Sequence, residues 1–183
     1  MKAGLRLPDI TFHTRVRDES LGGDNPFRWE DRTTADFFAG KRVILFSLPG
    51  AFTPTCSTYQ LPGFEKNAAA FAEHGIDDIY CLSVNDSFVM NKWARDQGLA
   101  HVKVIPDGSG KFTRAIGMLV EKDNLGFGMR SWRYAAIVND GVVEAWFEEP
   151  GRCDNHEADP YGESSPENLL NWLSRQSEDI AAE

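Results

Sequence analysis

Cys56 is the residue of this 183-residue chain whose surroundings most favour chemical reactivity. It follows a strongly apolar segment and a short loop containing Pro49 and Thr53, and it falls in the first turn of a predicted helix. Unpaired backbone N–H groups and the positive end of the helix dipole stabilise a thiolate there. The Thr53 hydroxyl is close enough to reach the sulfur, and Pro49 can shield the thiolate from water. The alternative is an inert packing residue, because many free cysteines behave as small hydrophobes.

The residue three places after Cys56 separates two kinds of thiol chemistry. A thiol at a helix start, after the first central strand of an α/β domain, is also the arrangement of the thioredoxins, which carry a second cysteine three residues on. Tyr59 occupies that place here. The spacing therefore predicts a lone nucleophile rather than half of a disulfide-exchanging pair.

The loop and several other segments resemble the peroxiredoxins. Pro49-x-x-x-Thr53-x-x-Cys56 matches their peroxidatic signature, and residues 48–57 and 61–64 are similar to the type II subfamily. Segments 83–90 and 128–134 also resemble that subfamily. The resemblance implies a thioredoxin-like α/β fold, with a mixed central sheet flanked by helices. It also implies a thiol peroxidase that reduces hydrogen peroxide and organic hydroperoxides to water and alcohols.

The resemblance also implies roles for individual residues. Cys56 attacks one peroxide oxygen and becomes a sulfenic acid, which a thiol must then reduce. The Thr53 hydroxyl accepts from or donates to the peroxide, and Pro49 belongs to the same site. The Arg-x-x-Arg-Tyr match places the family's catalytic arginine at Arg133, where its charge would favour the thiolate and polarise the O–O bond. Arg130 is the nearby alternative for the catalytic arginine. The non-catalytic interpretation of either arginine is a surface or interface salt bridge.

The remaining cysteines have less distinctive surroundings. Cys81 lies in an apolar strand and is interpreted as a packing residue, although some plant relatives leave a resolving role open. Cys153 lies in a loop and is interpreted as an exposed spectator, with resolution of the sulfenic acid as the alternative. Cys153-x-x-His156 is half of a metal-binding pattern, but no second pair follows it. We therefore expect no metal and no cofactor.

Strands and helices alternate in the middle of the chain, which is the pattern of an α/β fold. Apolar runs predict buried strands, and amphipathic segments with stop signals predict the helices between them. The strands are expected at 42–48, 78–84 and 102–105, with helices at 57–73 (kinked at Pro62), 88–97 and 111–116. A hairpin of 132–138 with 142–147 and a helix from Ser165 to about residue 175 follow, with a frayed tail after Gln176. The N-terminal third is expected to be irregular, apart from a weak helical piece at 33–38.

The composition limits the partners. With 19 Lys and Arg against 28 Asp and Glu, the net charge is -9, which argues against nucleic acid or an anionic membrane as a partner. The chain has no run of about 18 apolar residues, so no membrane span is predicted. The N-terminus has no signal-peptide pattern. Three cysteines do not form a disulfide framework, so we expect a cytoplasmic protein. The length and the lack of a linker predict a single domain over 1–183.

The expected partners follow from the thiol chemistry. Without a CxxC motif, an external reductant must regenerate Cys56, with glutathione and glutaredoxin favoured over thioredoxin. The resemblance implies a homodimer. Aromatic residues predict a shallow pocket for alkyl hydroperoxides, or else a core or dimer contact: Phe52, Phe88, Trp93 and Phe127. A disulfide reductase and a noncatalytic binding protein are the competing functions.

Overall fold

A computed structural model describes residues 2–182 of the chain. Its centre is a five-stranded sheet of β3 (Arg42–Ser47), β4 (Asp78–Ser83), β5 (Val102–Pro106), β8 (Tyr134–Asn139) and β9 (Val142–Glu148). The strands stand in the order β5-β4-β3-β8-β9. β3, β4 and β5 are parallel, whereas β8 and β9 run antiparallel to their neighbours. The predicted mixed sheet is confirmed.

Helices cover the sheet, and two of them begin after a residue whose side chain caps the helix. The helices are α1 (Thr34–Phe38), α2 (Leu61–Lys66), α3 (Ala68–Glu73), α4 (Ser87–Asp96), α5 (Lys111–Ala115) and α6 (Pro166–Ala181). Asp86 accepts a hydrogen bond from the Val89 N–H at 3.0 Å, and Ser165 accepts one from Asn168. The expected fraying after Gln176 is wrong, because α6 continues to Ala181.

Each face of the sheet has its own hydrophobic core. Along β3, Ile44 and Phe46 pack in one core, and Val43 and Leu45 pack in the other. All four are fully buried. This two-sided burial explains why the strand has a continuous apolar sequence rather than an alternating one. Cys56 and Cys81 belong to the same core as Phe46.

The N-terminal third contains a hairpin that the sequence interpretation missed. β1 (Thr11–Arg17) pairs antiparallel with β2 (Phe27–Thr33), so the expectation of irregular structure there is wrong. Only Phe12 and Thr14 of β1 are buried, and β2 is mostly exposed, so neither strand has an apolar run. Two further short strands, β6 (Leu119–Glu121) and β7 (Met129–Ser131), pair with each other and were also not predicted.

The pairing of β3 with β8 brings distant parts of the chain together. In this antiparallel ladder Ser47 is opposite Tyr134. The residue just before β8 therefore lies at the carboxyl end of β3, where the Cys56 loop begins. Along residues 2–182, no helix is long and apolar enough to cross a membrane.

Candidate active site

Cys56 lies at the start of a helical segment that is wider than an α-helix. Helical backbone begins at residue 54, and Cys56–Gln60 form a π turn that the Leu61 N–H closes on the Cys56 carbonyl. Pro62 stands in the first turn of α2, and the helix breaks again at Asn67, whose Nδ2 donates to the Gly63 carbonyl at 2.8 Å. The predicted helix over 57–73 is thus three segments. π turns inside helices are frequent at functional sites.

The loop before this helix is fixed to the end of β4. The Ala51 N–H donates to Asn85 Oδ1 at 3.0 Å, and the Ser83 hydroxyl donates to the same oxygen at 2.6 Å. Pro49 is buried. Phe52 has φ of 64°, in the left-handed region that bulky residues rarely adopt. These contacts hold the loop in a strained conformation beside the thiol.

Arg133 reaches Cys56 from the start of β8. Its Nη1 lies 3.5 Å from the Cys56 Sγ, and its Nη2 donates to Asp159 Oδ1 at 2.6 Å. Both Cys56 and Arg133 are buried, with Arg133 only 1% exposed. Burial works against the charge of Arg133, but the attraction of Cys56 and Asp159 outweighs it and raises the pKa of the guanidinium. A permanent positive charge is therefore in contact with the sulfur.

Two polar partners of Arg133 were missed by the sequence interpretation. Gln60 is fully buried, and its Oε1 accepts from Arg133 Nη1. Asp159 lies in the segment after β9, where Glu149 Oε1 accepts from the Gly162 N–H at 2.8 Å. Gln60 stands four residues after Cys56, on the same side of a helix, so this spacing could have pointed to it. No pattern in the sequence points to Asp159.

Thr53 and Arg130, which also belong to the two motifs, make different contacts from those of Arg133. The Thr53 hydroxyl donates to the Gly50 carbonyl at 2.7 Å, so the expected contact with the sulfur is replaced by a bond inside the loop. Its oxygen lone pairs remain able to accept. Arg130 donates from Nη1 to the Val84 carbonyl and from Nε to the Phe127 carbonyl, both at 3.1 Å. Burial lowers the pKa of Arg130. Arg130 thus joins loops around the site.

The other two thiols lie in contrasting environments. Cys81 is buried in β4, and burial raises the pKa of its thiol well above the ordinary value, with the nearby Cys56 adding to the effect. Cys153 is exposed, and all three cysteines are free. Within residues 2–182, no group of three or more His, Cys, Asp or Glu is placed to hold a metal ion.

The aromatic residues near the loop divide into buried and exposed ones. Trp93 is fully buried, and its indole N–H donates to the Ser57 hydroxyl at 3.0 Å. Phe52 and Phe88 are about half exposed. The Phe52 ring lies 6.4 Å from that of Trp93, and Phe88 packs edge to face on Trp29. Phe127 is half-buried, so the predicted aromatic set supplies one core residue, two surface residues and one residue in between.

Comparisons with known proteins agree over nearly the whole chain. A family model described as Redoxin matches residues 2–160. A peroxiredoxin of Rhizobium etli is 69% identical over 168 residues, which cover 92% of this chain and 94% of that protein. A peroxiredoxin of Sinorhizobium fredii is 67% identical over 173 residues, covering 94% and 92%.

Solved structures give the same result. The structure of a peroxiredoxin superposes with a TM-score of 0.87 at 35% identity, covering 95% of this chain and 99% of that one. Reduced Prx3 of Vibrio vulnificus in complex with hydrogen peroxide superposes with a TM-score of 0.81 at 32% identity, covering 97% and 98%. The predicted thioredoxin-like fold is confirmed.

Proposed function

The chain belongs to the peroxiredoxin family of thiol peroxidases, and on that premise we propose that Cys56 is the residue that attacks the peroxide. The observation that carries the proposal is the 3.5 Å contact between Arg133 Nη1 and the Cys56 Sγ in a buried site. A buried cation beside a thiol favours the thiolate, which is the nucleophilic form. Thr53 and Pro49 complete the site on the loop side.

The reaction is an in-line displacement at oxygen. The Cys56 thiolate attacks one peroxide oxygen, and the S–O bond forms as the O–O bond breaks. The sulfur is oxidised to the sulfenic acid, and the peroxide is reduced, so that the second oxygen leaves with the electron pair and takes up a proton as water or alcohol. The Arg133 charge stabilises the negative charge that develops on the oxygens. The Thr53 hydroxyl accepts a hydrogen bond from the bound peroxide.

The substrates are hydrogen peroxide and organic hydroperoxides. Phe52 is 52% exposed within the loop and offers apolar surface for an alkyl group. The surface is open, because the Phe88 side chain is also 56% exposed. These side chains support a broad peroxide specificity in antioxidant defence.

An external thiol regenerates Cys56, with glutathione and glutaredoxin favoured over thioredoxin. Burial raises the pKa of Cys81, so its protonated thiol is a poor nucleophile at neutral pH. Cys153 is exposed and unpaired, which leaves it available to resolve the sulfenic acid only if its loop moves. We further propose a homodimer in a reducing cytoplasm, where three free thiols persist.

One experiment in two stages tests this function. The reduced protein receives one equivalent of hydrogen peroxide, and its intact mass is measured; then glutathione with glutaredoxin, or thioredoxin with its reductase, is added. We expect a gain of one oxygen that disappears in Cys56→Ser but persists in Cys81→Ser and Cys153→Ser. Glutathione with glutaredoxin should then restore the original mass faster than thioredoxin.

Each stage has its own contradicting result. A protein whose Cys56 does not react with peroxide would be a noncatalytic member of the family. A disulfide to Cys81 or Cys153 in place of the sulfenic acid would refute regeneration by an external thiol alone. Equal or faster recovery with thioredoxin would refute the preferred reductant.

A further inference from the structure

Gln60 presents a buried amide whose orientation is fixed by its neighbour. The side chain is fully buried in the π turn, and its Oε1 accepts from Arg133 Nη1. A guanidinium carries only hydrogen-bond donors. The amide must therefore turn its oxygen towards Arg133, and its nitrogen must point to another part of the site.

That nitrogen has no hydrogen-bond partner. In the part of the chain that the structure describes, Gln60 Nε2 is buried and unpaired. Buried polar groups in folded proteins are almost always hydrogen-bonded, so an orphaned donor requires an explanation. Arg133 Nη1 and Nη2 bond Gln60 and Asp159, and Arg133 Nε is a second buried donor of the site without a partner. The missing acceptor is a group that reaches the site only during the reaction.

We propose that Gln60 Nε2 donates a hydrogen bond to the oxygen that Cys56 takes from the peroxide. This inference rests on the proposed function, in which that oxygen bonds to the Cys56 sulfur as the O–O bond breaks. The oxygen keeps lone pairs and is the new acceptor closest to the sulfur. Gln60 is then a catalytic residue that acts with Arg133: Arg133 contacts the sulfur, and Gln60 holds the transferred oxygen.

The test compares two reactions of the same thiolate. The rate of Cys56 oxidation by hydrogen peroxide is divided by the rate of Cys56 alkylation by iodoacetamide, both followed by intact mass. In alkylation the Cys56 thiolate attacks carbon and no oxygen is transferred. Because both rates depend on the same thiolate, their ratio cancels any change in the thiolate fraction. Gln60→Met keeps the size of the side chain and removes the amide. Gln60→Glu keeps an acceptor for Arg133 and removes the donor. Gln176→Met, at an exposed position of α6, is the matched control.

We expect the ratio to fall by at least about 10-fold in both Gln60 variants and to stay unchanged in Gln176→Met. A ratio preserved in Gln60→Glu would overturn the proposal, because Gln60 would then serve only to hold Arg133. Circular dichroism checks that each variant folds, and Gln60→Glu alone decides the result if Gln60→Met does not. Wild-type protein that alkylates but does not react with peroxide would refute the proposed function instead.

Discussion

Arg133 connects the two sides of the site, with Cys56 and Gln60 on one side and Asp159 on the other. The motif match predicted Cys56 and Arg133, because these residue types recur at fixed spacings around the loop and the late strand. The same match could not show the contacts of Arg133. Asp159 lies 26 residues away in an irregular segment, and only the folded chain brings it within 2.6 Å.

Replacing Arg133 tests its role at the scale of one residue. We expect Arg133→Ala to slow sulfenic acid formation by about 10²-fold or more, because the charge that stabilises the developing negative charge is lost. Arg133→Lys should fall between wild type and Arg133→Ala, since lysine keeps the charge but loses the planar fork that reaches several partners at once. Rapid-quench intact mass gives the rates.

Asp159→Asn is the control for this prediction. It keeps the size of the side chain and leaves the Arg133 charge in place, so its rate should stay closer to wild type than that of Arg133→Ala. The proposed role is refuted if Arg133→Ala forms the sulfenic acid at the wild-type rate.

The elements that hold the site were predicted unevenly. Strands β3, β4 and β5 were found almost to the residue, because burial on both faces gives continuous apolar runs. The hairpin of β1 and β2 was not predicted, since its few buried residues are scattered among charged ones. The helix after Cys56 was predicted as one piece. An apolar stripe along one face does not show where the backbone hydrogen bonds change to the π pattern or where the helix is interrupted.

Glu65 anchors α2 to the start of β5. Its carboxylate accepts backbone N–H bonds from Ala100 at 2.8 Å, His101 at 2.9 Å and Val102 at 2.8 Å. Partial burial pushes the pKa of Glu65 upward, but these hydrogen bonds more than compensate, so the pKa lies below the ordinary 4.5. The ionised form therefore stabilises the fold, and this contribution is present above pH 4.5 and lost as the pH falls.

Glu65→Gln should lower the free energy of unfolding at pH 7 by about 1 kcal/mol, because one acceptor oxygen and the charge are lost. Urea unfolding followed by circular dichroism measures the difference. The gap between wild type and Glu65→Gln should shrink as the pH falls from 4.5 through the lowered pKa of Glu65 in the folded protein. Glu73→Gln, an exposed carboxylate at the end of α3, is the control. A gap independent of pH would contradict the assigned anchor.

At the scale of the whole molecule, net charge and exposed apolar side chains act in opposite directions. The charge of -9 favours separate chains through repulsion. Several large apolar side chains are nevertheless exposed, among them Phe52, Phe88 and Trp29, which lie on or near the elements around the site. Phe88 and Trp29 pack edge to face and form an exposed patch, and the Arg15 guanidinium, 4.6 Å from the Phe88 ring, adds a cation to it. Such a patch is typical of an interaction surface.

We expect light scattering to give twice the chain mass for the wild-type protein and a shift towards the chain mass for Phe88→Glu. The change removes the apolar area of the Phe88 ring and adds a carboxylate that must lose its water in the interface. Ile180→Glu changes an equally apolar side chain, 76% exposed on α6, and should leave the mass unchanged. A wild-type protein that scatters as a single chain at working concentration would refute the homodimer.

The contact between Arg133 and Cys56 spans 77 positions of the sequence, and this separation has a consequence for synthesis on the ribosome. A growing chain that has emerged as far as β5 already contains the thiol, but it contains neither β8 nor the guanidinium. The thiol therefore acquires its cationic neighbour only after the late strand has been translated and inserted beside β3. A nascent or truncated chain carries an ordinary cysteine, and completion of the sheet is the event that prepares it for peroxide.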